Sequence, residues 1–598
     1  MYDVIIIGSG AGGAPIAHTL VGKGKSVLIL EKGPLFKPQS PTDLSSFKRD
    51  ELISDGHEKI LDLPGMGNNG EPFYSSHIEP DINDEPHVYH TDSGDRATIE
   101  GYTAQAVGGG TNLYGGVSLR FTPRDFALQT FNANRSFPTD PNGDIRREVR
   151  DWPISYNDLL PYYEKTEELI GLNGTSEHQL KPWPNNKYQN PLSTNPVSKY
   201  AYDGMVKLGT MLNAQSPAQP YRTPLAVITA DHAPSGRKAP ADPETLKTSY
   251  VNRYGDPLGA KSSTWVSLLN PIAAQPNFEL RPNCTVTHLS SQGSTVNKVH
   301  FLDPSGKPNE EEGKVIVVAC SAIESVRLLQ LSALLDANFN TRINQNALLG
   351  KYFLTHAFGG AGGLIPSRAD KSIALDSDWA TDCCNNDDFL QSAGIWAGAT
   401  IYNNTSDSAL PISLFRTMGA LDLDNLWKGI QYDMSLYGDS IIKYLDTNVG
   451  RRISITFMAN QIPQLNNRID LHPSIRDKWN RPVAYINKSW HPHDLFLMDT
   501  LATQCGKVLE LGGVLEIGKG SSYQSPNGMI RIANHILGGA RFGTSEQDSV
   551  LDPNCRAWHF DNLYVTDGSW MPTSGSGNPT HTIEANAFRI ADHLLTVV

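Results

Sequence analysis

The first residues whose types and spacing could do chemistry are Gly8, Gly10 and Gly13, within Gly8-Ser9-Gly10-Ala11-Gly12-Gly13, followed by Glu31 and Lys32. A glycine at the first position permits a tight turn off a strand. The second lets backbone amides, that of Ala11 included, approach an anion closely, and the third lets a helix pack tightly on the strand. Amides at a helix start carry partial positive charge, so a pyrophosphate is the group this loop suits. A carboxylate about twenty residues further on accepts hydrogen bonds from a ribose 2′-hydroxyl. Glu31 stands there, which favours FAD or NAD over NADP.

These residues need two strands and a helix to hold them. Tyr2-Asp3-Val4-Ile5-Ile6-Ile7 is an apolar run suited to a strand buried on both faces, and Val27-Leu28-Ile29-Leu30 is a second. Ala14 to Leu20 reads as the helix between them. Strand, glycine loop, helix, strand and terminal acid in this order form a βαβ dinucleotide-binding unit. The motif does not separate FAD from NAD.

Composition narrows the remaining classes. The chain has 598 residues, enough for more than one domain, and 39% are hydrophobic. Its 50 Lys and Arg against 63 Asp and Glu give a net charge of −13, and nothing in that balance favours nucleic acid, which needs a basic face. No uncharged apolar run is long enough to span a membrane. Six cysteines make neither a disulfide framework nor a zinc-like spacing, so no metal site is expected. No basic region followed by a cleavable apolar segment precedes Val4. The expectation is therefore a cytoplasmic protein.

Further segments follow at long intervals. Ala106-Val107-Gly108-Gly109-Gly110-Thr111-Asn112-Leu113-Tyr114-Gly115-Gly116 is a second glycine-rich loop, and Asp151-Trp152-Pro153 opens a helix. Val315-Ile316-Val317-Val318-Ala319-Cys320-Ser321 is a buried strand and a turn of small residues, with Leu349 to His356 beyond it. Asn534-His535-Ile536-Leu537-Gly538-Gly539-Ala540-Arg541-Phe542-Gly543, Thr566-Asp567-Gly568 and Gly577-Asn578-Pro579-Thr580 close the series. In this order they resemble the glucose–methanol–choline (GMC) oxidoreductase family, most closely its branch of gluconate and fructose dehydrogenase large subunits and pyranose oxidases.

The resemblance implies FAD and an α/β plus α+β architecture. A Rossmann-like FAD-binding domain of residues 1–150, 240–335 and 540–598 is expected beside a substrate domain of 151–240 and 336–540. The second domain is expected to be built on a large, mostly antiparallel sheet flanked by helices, with residues 366–450 as loops or a cap over the site. The loop through Gly109, Gly110, Thr111, Asn112, Gly115 and Gly116 is expected along the flavin. Leu113 and Tyr114 stand where some pyranose oxidases carry a flavin-linking histidine, so FAD is expected to be non-covalent. Val286 is expected at the adenine, Ala319 against the cofactor, Asp567 and Gly568 near its phosphate–ribitol region, and Asn578, Pro579 and Thr580 at the flavin's pyrimidine edge.

Oxidising an alcohol by hydride transfer needs a base for the hydroxyl proton and a donor for the developing alkoxide. The resemblance assigns the base to His535 and its amide partner to Asn578, 43 positions later. His581 is read as a packing residue, because a helix start disfavours a protonated imidazole. The branch implies a primary or secondary hydroxyl of a sugar, glycoside or polyol as substrate. Oxygen, a quinone or a partner redox subunit are all open as electron acceptor. The family resemblance also admits a periplasmic enzyme exported with a partner subunit. A GMC-fold lyase and a non-sugar alcohol oxidase or dehydrogenase are the alternatives.

Overall fold

The computed structural model describes residues 1–35, 85–91, 94–98, 104–175, 180–213, 218–248, 259–369, 375–405, 435–448, 450–521 and 535–598. Five short apolar segments, far apart in the chain, build one parallel sheet: β1 (Tyr2–Ile7), β2 (Val27–Leu30), β3 (Phe278–Arg281), β4 (Gly313–Val318) and β5 (Leu563–Val565). Their order is β5-β4-β1-β2-β3, and every pairing is parallel. The helix Ala14–Gly22 packs on β2 and the antiparallel strand Thr295–Leu302 packs on β4, and the inner strands are apolar on both sides: Val4, Ile5, Ile6 and Val315 to Val318 are all buried. Four helices frame the site: α1 (Ala14–Gly22), α2 (Tyr156–Ile170), α3 (Ala322–Leu335) and α4 (Thr580–Leu594). In α4, Ala587, Ile590, Ala591 and Leu594 supply a buried stripe at helical spacing.

A second sheet has six strands, ordered 515–521, 357–364, 452–459, 399–404, 379–381 and 221–222, and all its pairings are antiparallel. The long helix Pro492–Leu511 packs on this sheet, and Ser198–Leu212 packs on that helix. The two helices approach closely because Gly204 has no side chain: a Cβ there would lie 1.9 Å from the Val508 carbonyl oxygen. The strand Arg468–Arg476 is the outer strand of a separate four-stranded sheet completed by 482–487, 87–91 and 94–98. Of residues 366–450, where loops or a cap were expected, 370–374, 406–434 and 449 lie outside the described residues. Among the described residues no helix is long and apolar enough to cross a membrane.

Helix α2 joins the core of the parallel-sheet unit: Tyr163 is fully buried and its hydroxyl lies 2.8 Å from Thr582 Oγ1 of α4. An ion pair lies beneath it. Arg120 donates to both oxygens of Glu167 at 2.6 and 2.7 Å, and both residues are buried. Removing one partner strands a charge in the interior, at a cost of about 3–5 kcal/mol. Arg120→Leu is therefore expected to lower Tm sharply in a thermal scan, and an unchanged Tm would contradict it. Lysine should not rescue, since it lacks the two-pronged geometry.

Glu584 on α4 is buried, and neither carboxylate oxygen has a hydrogen-bond partner among the described residues. Burial pushes its carboxyl up to about 8. An unfolded glutamate ionises near pH ~4.3. Between those values the folded chain keeps a proton that the unfolded chain releases, so rising pH erodes stability. Glu584→Gln should leave Tm close to wild type near pH ~5 and raise it above wild type near pH ~8. The same Tm difference at both pH values would contradict this.

Candidate active site

Gly8 leaves β1 at φ +98, and a Cβ there would sit 2.4 Å from the Ala319 carbonyl oxygen. A Cβ on Gly13 would lie 2.2 Å from the Gly8 carbonyl oxygen, so α1 packs on the turn only with glycine there. Gly10 has nothing nearer than 3.9 Å on its Cβ side and borders an open cleft. Ser9 ties this turn to its surroundings. Its hydroxyl donates to Glu31 Oε2 at 2.6 Å and accepts from the Gly108 amide at 2.9 Å. Glu31 also accepts from the amides of Ser9 and Gly33. Burial pushes its carboxyl up, opposed by these bonds.

The cleft runs along the carboxyl ends of β1, β2 and β4, where ligands of open α/β sheets bind. It contains about 1360 Å³ of empty space, its open mouth included. Of the residues expected to hold the cofactor, Gly8, Gly10, Ala11, Glu31, Lys32, Gly109, Gly110, Thr111, Val286, Ala319, Asp567, Gly568, Pro579 and Thr580 line it. Gly13, Asn112, Gly115, Gly116 and Asn578 do not. Asn112 turns inward instead, its amide donating to the carbonyls of Val107 and Gly109 at 3.0 Å each. Gly115 lies against Asp376. Tyr114 donates to the Ser262 carbonyl at 2.8 Å.

Several lining residues escape sequence reasoning: Cys284, Glu324, Arg327 and Arg481. They form the charged end of the cleft. Burial pushes the Glu324 carboxyl up, but Arg327 and Lys32 outweigh it and hold it down to about 2. Arg327 donates to Asp477 at 2.6 Å, and Lys32 pairs with Glu85. No local motif marks these residues. The one available signal is the position of Glu324 and Arg327 on the helix directly after the small-residue turn.

At the other end, His535 lines the cleft with Ile536, Leu537 and the start of α4. Its Nε2 lies 3.4 Å from Asn578 Nδ2. Asn578 Oδ1 has no hydrogen-bond partner among the described residues. The His356 ring meets the His535 ring edge to face, with centroids 4.9 Å apart. Burial, and the neighbouring His535, hold His356 well below the usual histidine range. His581 is buried on α4, with Nδ1 3.0 Å from the Ser118 carbonyl oxygen, and burial pushes it down to about 3. Asn534 lies outside the described residues.

Among the described residues one cluster has ligand-like types, Asp140, Asp144 and His491. His491 Nδ1 accepts from the His493 amide at 3.1 Å, which puts the proton on Nε2, 3.3 Å from Asp144 Oδ2. A ring bonded this way offers a cation no lone pair. His491 is the N-cap of the helix Pro492–Leu511, and Asp140 accepts from the amides of Asp144 and Ile145.

Comparison with known proteins decides the family. Models described as GMC oxidoreductase match residues 154–357 and 463–587, and a model described as FAD binding domain matches residues 3–43. The chain is a GMC oxidoreductase. Its relatives include 6'''-hydroxyparomomycin C oxidase of Streptomyces lividus, 27% identical over 99% of this chain and 92% of that protein. The fructose dehydrogenase large subunit of Gluconobacter japonicus is 24% identical over 99% and 97%. In fold, the chain is similar to pyridoxine 4-oxidase from Mesorbium loti, with a TM-score of 0.60, 14% identity and 99% of each chain covered.

Like its family, this GMC oxidoreductase is an FAD-dependent enzyme acting on CH–OH groups. The residues present fit the cofactor. A glycine cradle that any Cβ at Gly8 or Gly13 would destroy opens onto the amides at the start of α1. A buried carboxylate stands at the end of β2, and the start of α4 closes the far end of the cleft.

Proposed function

We propose that this GMC oxidoreductase oxidises a primary or secondary hydroxyl of a sugar, glycoside or polyol, with His535 as base and Asn578 as its partner. The single observation that carries this is the 3.4 Å separation of His535 Nε2 and Asn578 Nδ2 beside the cleft. An acceptor nitrogen and an amide donor at that spacing both reach one hydroxyl oxygen: His535 takes its proton, and Asn578 donates to the oxygen as negative charge develops. FAD, when bound, supplies the acceptor for the hydride from the same carbon. His356, kept neutral by burial, adds no positive charge beside His535. The start of α4 turns its partial positive charge toward the flavin end of the cleft.

The residues that would hold FAD are the amides of Gly10 and Ala11, Glu31 and Lys32, the Gly109–Thr111 loop, Val286, Ala319, Asp567-Gly568 and Pro579-Thr580. Asn112, Gly115 and Gly116 act by shaping that loop. The attachment is non-covalent, since the loop offers Leu113 and Tyr114 rather than a histidine. Acid precipitation should therefore release all of the flavin. The strands of the parallel sheet all come from 1–150, 240–335 and 540–598, and those of the six-stranded sheet from 151–240 and 336–540. This supports a cofactor unit and a substrate unit, with crossings of those limits: the four-stranded sheet joins 87–98 to 468–487, Phe353 and Leu354 enter the core of the first unit, and α2 packs on it.

The sugar or polyol reading draws on the relatives named for hydroxyparomomycin, fructose and gluconate. The electron acceptor is oxygen, a quinone or a partner redox subunit. The test is mass spectrometry of products after incubation with paromamine, D-fructose, D-gluconate and 2-methyl-1,2-propanediol, each with oxygen or an artificial quinone. Loss of two hydrogen atoms from a sugar or polyol supports the reading. Cleavage of a carbon–carbon bond without net oxidation would replace it with a lyase.

A further inference from the structure

The loop Thr573-Ser574-Gly575-Ser576-Gly577 leads directly into Asn578 and is tethered at successive residues. Thr573 Oγ1 accepts from the Trp152 indole at 2.7 Å, and Ser574 Oγ accepts from the Gln461 amide at 2.9 Å. The Gly575 amide donates to Asn460 Oδ1 at 2.6 Å. Ser576 Oγ donates to Asp125 Oδ2 at 2.6 Å, and its carbonyl accepts from the Thr400 amide at 2.8 Å.

Asp125 is the hub. It is 3% exposed, and its Oδ2 also accepts from the amide and hydroxyl of Thr122, both at 2.8 Å. Its Oδ1 accepts from Asn460 Nδ2 at 2.9 Å. Four donors therefore converge on one buried carboxylate, and Asn460 relays it to the Gly575 amide.

The neighbouring residue reaches the other half of the site. Gln461 Oε1 accepts from the Thr355 amide at 2.9 Å, and His356, next in the chain, carries the ring that meets His535. Asn460 and Gln461 follow the strand Arg452–Ala459 of the antiparallel sheet. One dipeptide thus grips both the segment that presents Asn578 and the residue immediately before the one whose ring meets His535.

We propose that Asp125, Asn460 and Gln461 are positioning residues, a buried bracket that sets the separation between His535 and Asn578. The inference rests on reading those two side chains as the reacting pair. Catalytic groups must be held within ~0.5 Å of their productive placement. A chain of directional bonds with no exposed member is suited to that tolerance.

The donors and acceptors prescribe the test. Asp125→Asn, with its oxygen kept toward the three donors on the Oδ2 side, sets an amide NH₂ against Asn460 Nδ2, donor to donor; turning Asn460 over moves the conflict to the Gly575 amide, and turning the new amide over moves it to the Thr122 amide. Asn460→Asp sets two carboxylates against each other. In the double variant D125N/N460D the new amide donates to the new carboxylate, which still accepts from Gly575, so every bond is restored and the net charge is unchanged.

The readouts are the crystallographic His535 Nε2 to Asn578 Nδ2 distance, FAD content, Tm, and flavin bleaching rate with the fastest of paromamine, D-fructose, D-gluconate and 2-methyl-1,2-propanediol. Each single variant should keep FAD, change the distance by more than ~0.5 Å and slow bleaching by ~10- to 100-fold. The double variant should return both to near wild type. Wild-type distance and rate in the single variants, or a double variant no better than the worse single one, would overturn the bracket. If D125N fails to fold, Ser576→Ala, which removes one bond and leaves the carboxylate, takes its place with a several-fold loss expected. His535→Ala is run alongside. Full turnover in H535A would sink the reading of the pair and leave the bracket to the distance measurement. An inactive H535A beside a fully active D125N would sink the bracket alone.

Discussion

Replacing His535 by alanine is expected to leave FAD bound and to slow alcohol oxidation by about 10²–10⁴-fold, the usual contribution of a positioned general base. His535 is half-buried at one end of the cleft, and the glycine cradle proposed for the cofactor's phosphates is built on other elements, the end of β1 and the start of α1. Its removal takes away the proton acceptor beside Asn578 and leaves the cradle intact. The loss should fall on kcat and kcat/KM together, because the proton moves only as the transition state forms. Asn578→Ala should show a smaller loss of the same kind, about 10²–10³-fold, as expected for one donor to a developing oxyanion. Steady-state kinetics and flavin spectra of the purified variants check both. An H535A enzyme with wild-type turnover would remove the base from this site.

The second large effect concerns the cofactor. Gly8→Ala is expected to yield protein that purifies without flavin. The backbone at Gly8 has φ +98, in the left-handed region, which costs an L residue ~1–2 kcal/mol. The larger obstacle is space. The added Cβ would lie 2.4 Å from the Ala319 carbonyl oxygen and 2.9 Å from its carbon, and both are backbone atoms at the end of β4. Either the turn or β4 must move, and both line the cleft. The strain alone weakens FAD about tenfold if it is relieved in the apo form, and the clash adds to it. Gly22→Ala is the control. It lies at the end of α1 with nothing within 4 Å of its Cβ position, and it should keep wild-type FAD content. Equal flavin content in both variants would contradict the account of the cradle.

Much of the cofactor end was legible because its signals are local. Gly8, Gly10, Gly13 and Glu31 lie within one βαβ unit, and their spacing follows from strand and helix geometry. The glycine loop at 108–116 was legible as a loop but not in its orientation. Asn112 lies four residues from Gly108 yet spends its amide on the loop's own carbonyls, a local bond that composition does not announce. Glu324, Arg327 and Arg481 were missed because the cleft's charged end is assembled from remote segments. Asp125 shows the same limit. Its capping box with Thr122 is readable as Thr-x-x-Asp, but its bond to Asn460 spans 335 positions and only the folded chain reveals it. His535 and Asn578 were named through a family resemblance, since nothing in their own spacing singles out one histidine of 17.

The most direct test is the absorption spectrum of the purified enzyme, recorded anaerobically before and after addition of each sugar and polyol in turn. The account predicts a two-banded yellow spectrum that bleaches with at least one of them in the wild type and stays yellow in His535→Ala. A yellow enzyme that none of them bleaches, or an H535A variant that bleaches as fast as wild type, would contradict it.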